Sequence, residues 1–200
     1  MSTLTIIGQI VGGIAAVILI FSFQFKDNKK LFIAQICSCT LFTVHYMLLG
    51  FGGDPKAFSG MVQNFGGLLF RVPLLLSEKN EKWRSPIILT ALCAYSAVTA
   101  VLTYEPGNIV CLLPMIGNII GMGAMWVKKP NVIRVAQLSF MSPCWLIYNI
   151  FTFSISGIIT ESFNIISIGV YYLRQLIAKR RNKKKELTDE KSEDNGSGKL

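Results

Sequence analysis

The chain has 200 residues, 52% hydrophobic and only 16% charged, with a mean hydropathy of +0.49 and a formal net charge of +9. A soluble domain carries about 25% charged residues, so this composition excludes an ordinary water-soluble globule. The surplus of positive charge does not point to nucleic acid, because the basic residues sit between greasy segments in an alternating pattern described below.

Apolar runs at 3–25, 31–51, 57–77, 85–104, 106–127, 135–153 and 157–178 are each roughly 19–23 residues long. About 20 helical residues cross a bilayer core. The runs are too long for strands and lack period-two alternation. Seven transmembrane helices are predicted.

The first run has no positive leading region and no small-residue cleavage site, so it is expected to be a retained helix. It holds IGQIVG at 7–12. The second follows the basic loop KDNKK and carries Gln35 early and His45-Tyr46 near its far end. The third holds Gln63, Asn64 and Arg71, with Pro73 two residues on. The fourth is the blandest, with no charged residue inside it. The fifth has Pro114 and then IGNIIG at 116–121, which includes Asn118. The sixth, after KKPNVIR, carries Gln137, Pro143, Trp145, Tyr148 and Asn149. The seventh has Glu161, Asn164 and Arg174. Residues 179–185, KRRNKKK, read as a topology signal within reach of anionic lipid headgroups. Residues 186–200 are polar and are expected to be disordered. The five cysteines have no metal-ligand spacing and read as small packing residues.

Nineteen of the twenty basic residues fall on one side when the runs are threaded through a membrane, and Lys56 alone falls on the other. Basic residues mark the cytoplasmic side. The N-terminus is therefore expected outside and the C-terminus in the cytoplasm.

IGQIVG and IGNIIG open two copies of one three-helix unit. In each copy a basic loop, an early glutamine, a polar aromatic pair and an asparagine-then-arginine helix follow in the same order. The unit is odd in span number, and the helix at 85–104 restores its direction. A 3+1+3 arrangement with parallel halves at 3–77 and 106–178 is expected, and repeat-built transporters put their site between halves.

Polar groups inside a membrane tend to face a bundle interior or a cavity. Asn64 and Asn164 both lie roughly 10 Å from the outer surface, counted at 1.5 Å per residue. His45, Tyr148 and Asn149 lie at about 6–9 Å by the same rise, and Trp145 is one turn deeper. With Gln63 and Asn118 these form the candidate solute-binding set. Amides donate and accept, and an indole offers a flat stacking surface. The same amides also serve to join transmembrane helices, at about 0.6–2 kcal/mol each. Arg71 near mid-bilayer costs about 2.5–3.5 kcal/mol on insertion scales. It reads either as a snorkelling residue or as a gate or anion contact. Glu161 reads either as a proton-coupling carboxylate or as an interfacial residue.

The sequence LLPM-IGNIIG, CWLIYN followed by SISGIITE, and HYMLLG resemble the YgjV family of bacterial inner-membrane proteins over most of residues 5–175. The resemblance implies a multi-pass inner-membrane location. The layout is also similar to the SWEET and PQ-loop superfamily of small-solute transporters. There, paired asparagines on the third helix of each half line the sugar site, which implies that role for Asn64 and Asn164. No Pro-Gln dipeptide occurs in this chain, although that superfamily carries its hinge there.

The expected function is transport of a small polar solute by alternating access, without cofactor or metal and without nucleic acid. The alternative is a non-transporting scaffold or regulator acting through the basic tail. Homo-oligomer formation is compatible with either. An enzyme is not expected, because the runs lack paired carboxylates, a nucleophile–base spacing or a metal cluster.

Overall fold

The computed structural model describes residues 2–22, 25, 27–127 and 129–197, with side chains described for all of these except residue 28 and those after 181. Lys26 and Lys128 of the basic loops, and the tail side chains from 182 onward, lie outside the described residues.

The elements run α1 (Thr3–Ser22), α2 (Asn28–Phe51), α3 (Ala57–Ser77), a 3-10 turn (Glu81–Arg84), α4 (Pro86–Leu102), a second 3-10 turn (Ile109–Leu112), α5 (Leu113–Trp126), α6 (Pro130–Ala136), a π-helical stretch (Gln137–Met141), α7 (Ser142–Phe151) and α8 (Ile155–Ser197). No strand occurs among the described residues. Because α6, the π stretch and α7 run on without a break, these elements form seven helical rods.

Local chemistry fixes the helix starts. Ser2 Oγ accepts the Thr5 N–H at 3.2 Å, Asp27 Oδ1 accepts that of Lys29 at 2.9 Å, and Ser85 caps α4 in the same way. Side-chain oxygens of this kind satisfy orphan N–H groups of a first turn. Proline stands in the first positions of α4, α5 and α6, where no N–H is required, whereas Pro143 of α7 follows the π stretch inside a continuous rod. At the other end of α5, Arg84 Nη2 donates to the Trp126 carbonyl, and its guanidinium carbon lies 5.4 Å from the Trp126 ring centroid.

Thr3–Ser22, Lys29–Phe51 and Ile109–Trp126 are long and apolar enough to cross a membrane, and Pro86–Leu102 is a shorter apolar helix. Polarity is inverted relative to a soluble protein. Ile6, Ile10, Ile14, Val17 and Phe21 of α1 and Ile87, Val101 and Leu102 of α4 are exposed, while His45, Gln63, Ser38, Ser96 and Ser154 have no accessible surface. Hydrocarbon outside and satisfied polar groups inside is the arrangement that lipid selects.

Helix α2 packs along both α1 and α3, α3 also meets α4 and α5, and α5 meets the π stretch and α7. One apolar core joins Ala15, Ala16, Phe42, Tyr46, Leu49 and Ala57 with Tyr148. A second joins Phe70 and Leu74 of α3 with Met122 of α5.

The chain divides into two compact units, 1–164 and 165–200. The second is the continuation of α8. In it Tyr171 meets Tyr172 edge-on at 5.5 Å, and Gln175 Nε2 donates to the Tyr171 hydroxyl at 2.6 Å. The backbone stays helical to Ser197, through the segment expected to be a disordered tail. Glu186, Leu187, Glu190, Lys191 and Glu193 favour helix in that segment, and no glycine or proline falls between Gly169 and Gly196.

Candidate functional site

The buried polar side chains of residues 2–164 form a network between the first three helices and the rods that follow α4. It lies at the end that carries the turns at 52–56 and 152–154.

His45 Nδ1 is 2.7 Å from the Gly8 carbonyl, and Nε2 is 2.8 Å from Ser154 Oγ. A carbonyl only accepts, so the hydrogen belongs on Nδ1. In the neutral ring Nε2 then accepts from Ser154. Ser154 Oγ accepts the Gly157 N–H at 3.2 Å, and Ser156 Oγ stands 3.5 Å from the imidazole. Gly12 makes the room, because a Cβ there would lie 2.6 Å from His45 Nδ1 and nearer still to Ser156 Oγ.

Tyr148 acts on the opposite side. Its hydroxyl accepts the Gly60 N–H at 2.8 Å and donates to the Lys56 carbonyl at 2.9 Å, inside the first turn of α3. The Tyr46 hydroxyl donates to Asn149 Oδ1 at 2.5 Å. Gln9 Nε2 donates to the Phe153 carbonyl at 2.7 Å, and Gln9 Oε1 accepts the Ile155 N–H at 3.1 Å. Asn118 Nδ2 donates to the Gln63 carbonyl at 2.7 Å and to Gln63 Oε1 at 3.2 Å.

Some of these bonds have counterparts by helix though not by register, since Gln9 meets the start of α8 and Asn118 meets Gln63, six residues past the start of α3. Gln9 and Asn118 occupy the same position of the repeated hexapeptide. Gln9 reaches the start of α8, and Asn118 reaches α3. His45 and Tyr148 are the first members of the two polar aromatic pairs. His45 bonds the turn before α8, and Tyr148 bonds the first turn of α3. The second members, Tyr46 and Asn149, bond each other. Of the bonds described, that one joins two positions paired in the sequence repeat.

Around this seam Trp145 lies 6.1 Å from the Tyr46 ring and 5.8 Å edge-on from Tyr148. Trp145 also covers Gly117, where a Cβ would be 3.1 Å from its Cδ1. Gln63 is anchored deeper: it donates to the Ser96 carbonyl at 2.8 Å and accepts from Ser96 Oγ at 2.5 Å.

Asn64 is half-buried and donates to its own helix at the Gly60 carbonyl, 3.0 Å away. Asn164 Nδ2 donates to Glu161 Oε2 at 3.3 Å. The Ser142 side chain also faces Glu161, and Ser142 Oγ takes a hydrogen bond from Gln137 Nε2 at 2.7 Å across the π stretch. Arg71 Nε donates to Gln35 Oε1 at 3.1 Å and Nη1 to the Gly67 carbonyl at 2.9 Å. The expected set therefore separates. His45, Gln63, Asn118, Tyr148 and Asn149 are joined across the seam with Trp145 beside them, whereas Asn64, Asn164, Arg71 and Glu161 bond within their own helices or to near neighbours.

The turn between α7 and α8 is strained. Phe153 has φ +49°, a region that costs a bulky L-residue roughly 1–2 kcal/mol, and Gln9 pins it from both sides. In the 52–56 turn, burial pushes the Asp54 carboxyl above its ordinary range, partly offset by Lys56, whose Nζ is 3.5 Å from Asp54 Oδ1. Among the described residues, no group of His, Cys, Asp and Glu could hold a metal ion.

Tyr46, Ser154, Ser156, Ser96 and Gln9 take part in this bonding and were omitted from the candidate set. Gln9 was legible as the repeat partner of Asn118, and Tyr46 as that of Asn149. The serines carried no distinguishing pattern.

A model of the family described as bacterial inner membrane protein, Imp-YgjV, matches residues 6–179. No curated protein matches the chain, and no solved structure does.

Proposed function

Because the chain belongs to the YgjV family of bacterial inner membrane proteins, we propose that it moves a small polar solute across that membrane by alternating access between two three-helix halves. The observation that carries this reading is the seam, in which Tyr46 and Asn149 bond each other and Gln9, His45, Asn118 and Tyr148 bond the other repeat's third helix or the turn before it. Repeats meeting on a two-fold axis along the membrane normal are how one class of transporter builds a central path.

In this reading the chain crosses the membrane seven times with its N-terminus outside. The seam is then the outer closure. Its hydrogen bonds join side chains of one half to main-chain and side-chain groups of the other, so they can break as a set when the halves rock apart. Asn64 and Asn164, with Arg71 and Glu161, lie beyond the seam on α3 and α8 and contact the solute. The strained Phe153 turn fits a gate, since such outliers cluster at switch regions. Partners are the solute and anionic lipids beside the basic tail, and the chain is not an enzyme.

The test has two stages. Purified protein is melted against sugars, amino acids, vitamins and nucleosides, because a ligand that binds the folded form raises its apparent stability. The hit is then assayed for uptake into proteoliposomes. Asn64→Ala and Asn164→Ala should each abolish uptake while leaving folded protein in the membrane, whereas deletion of residues 179–200 should not. Function that survives both amide changes and is lost with the tail would establish the scaffold alternative instead.

A further inference from the structure

Arg71 is six residues from the end of α3 at Ser77, about 9 Å along the axis. A snorkelling arginine would extend toward that near end. Arg71 does the reverse. Its Nη1 reaches back to the Gly67 carbonyl, four residues toward the helix middle. Gly67 is shaped for this, since a Cβ there would meet Nη1 at 3.1 Å. On the other edge Gln35, itself buried, holds Nε through its amide oxygen.

Both acceptors are neutral. Among the described residues Arg71 makes no ion pair with a carboxylate. Arg71 Nη2 and Gln35 Nε2 have no protein acceptor among those residues. A permanently charged fork, held off the interface, is thus left with donors to spare beside an amide NH2. Planar donor pairs of this kind match carboxylate and phosphate oxygens. Arg71 is also seven residues after Asn64 and shares its side of α3.

We propose that Arg71 and Gln35 form an oxyanion site within the bundle, so that the solute carries a carboxylate, phosphate or sulfonate group. This rests on the transporter reading for the identity of the solute, though not for the site itself. The same chemistry is available in an anionic lipid headgroup, and the test separates the two sources.

The full-length protein in neutral detergent is melted with sodium lactate, sodium succinate or sodium phosphate, against sodium chloride at matched ionic strength and against glucose. A second arm adds phosphatidylglycerol to the micelles. At a probe concentration tens of times the dissociation constant, at least one oxyanion raises Tm by about 3–6 °C, and Arg71→Gln abolishes the rise. Gln35→Leu, which leaves the charge in place without its support, reduces the rise and carries the test if Arg71→Gln does not fold. A rise seen only with phosphatidylglycerol and lost in the variants keeps the site and assigns the oxyanion to lipid. No Arg71-dependent rise with any probe overturns it. If a neutral solute is taken up equally by wild type and Arg71→Gln, and no probe or lipid gives an Arg71-dependent rise, this inference falls and the transporter reading stands. If an oxyanion binds through Arg71 but no probe is taken up, the site stands and the transporter reading falls.

Discussion

Replacing Tyr148 with phenylalanine removes one oxygen and leaves the ring packing intact. The hydroxyl lies where the first turn of α3 would otherwise close, with the Gly60 N–H on one side and the Lys56 carbonyl on the other. Lys56 O loses little, because it also accepts the Ser59 N–H at 3.2 Å and Ser59 Oγ at 2.9 Å. The Gly60 N–H is the group at risk. A buried donor left unpaired costs about 1–3 kcal/mol. The turn can tighten so that Gly60 bonds Lys56 O, its own acceptor four residues back, and that recovery holds the expected loss to about 1–2 kcal/mol. Every 1.4 kcal/mol is a factor of about 10 in an equilibrium. Amide exchange in the peptide spanning 57–62 should therefore accelerate roughly 5- to 30-fold, with a matching fall in Tm in detergent. Exchange within twofold of wild type, at unchanged Tm, would refute the claim that this hydroxyl ties the two halves together.

Gly12 and Gly13 make a matched pair. Gly12→Ala drives a methyl into His45 and Ser156, whereas Gly13→Ala meets nothing within 4 Å. The first should destabilise by about 1–3 kcal/mol from overpacking and the second stabilise by about 0.5–1 kcal/mol from helix propensity; thermal melts giving the opposite order would sink the placement of α1 against α2. A double-mutant cycle of Gln63→Leu with Asn118→Ala, which leaves the bond to the Gln63 carbonyl outside the coupling, should show about 0.6 kcal/mol for the 3.2 Å side-chain bond, and zero coupling would remove that side-chain bond. Phe153→Asn, a residue that tolerates positive φ, should raise Tm by about 2–4 °C; a fall would show that the turn is not strained. Asp54 has a folded-state pKa above its unfolded value, so the folded state binds the proton more tightly and stability falls as pH rises from the ordinary carboxyl range through the raised value. Asp54→Asn should flatten that part of the Tm–pH curve, and parallel curves for the two proteins would contradict it.

Much of this architecture is legible in the residues, and the exceptions have physical reasons. The Ala57–Ser77 helix is readable at both ends, since Asp54-Pro55 breaks the chain before it and Glu78-Lys79-Asn80 ends the apolar run. The rod expected from Val135 begins at Pro130, because an N-terminal proline starts a helix that hydrophobicity alone does not reveal. The π stretch leaves one trace in the sequence. Pro143 has no N–H, so the Ser139 carbonyl lacks its usual partner, and Ser142 N–H bonds Gln137 O five residues back. His45, Gln63, Tyr148 and Asn149 are identifiable as costly intramembrane polar groups. Their partners are not, because bonds to the Gly8 carbonyl or the Gly60 N–H depend on helix register, which no side chain announces.

The two arms that meet at Tyr46 and Asn149 are mechanically unequal. α2 is one unbroken α-helix from Asn28 to Phe51, whereas its counterpart has a widened turn at Gln137–Met141 followed by Pro143. Insertions and prolines interrupt the hydrogen-bond column that stiffens a helix. In the alternating-access reading, load arriving at the seam would be carried rigidly along the first arm and absorbed as bending in the second. The proposed joint would thus have one lever and one spring.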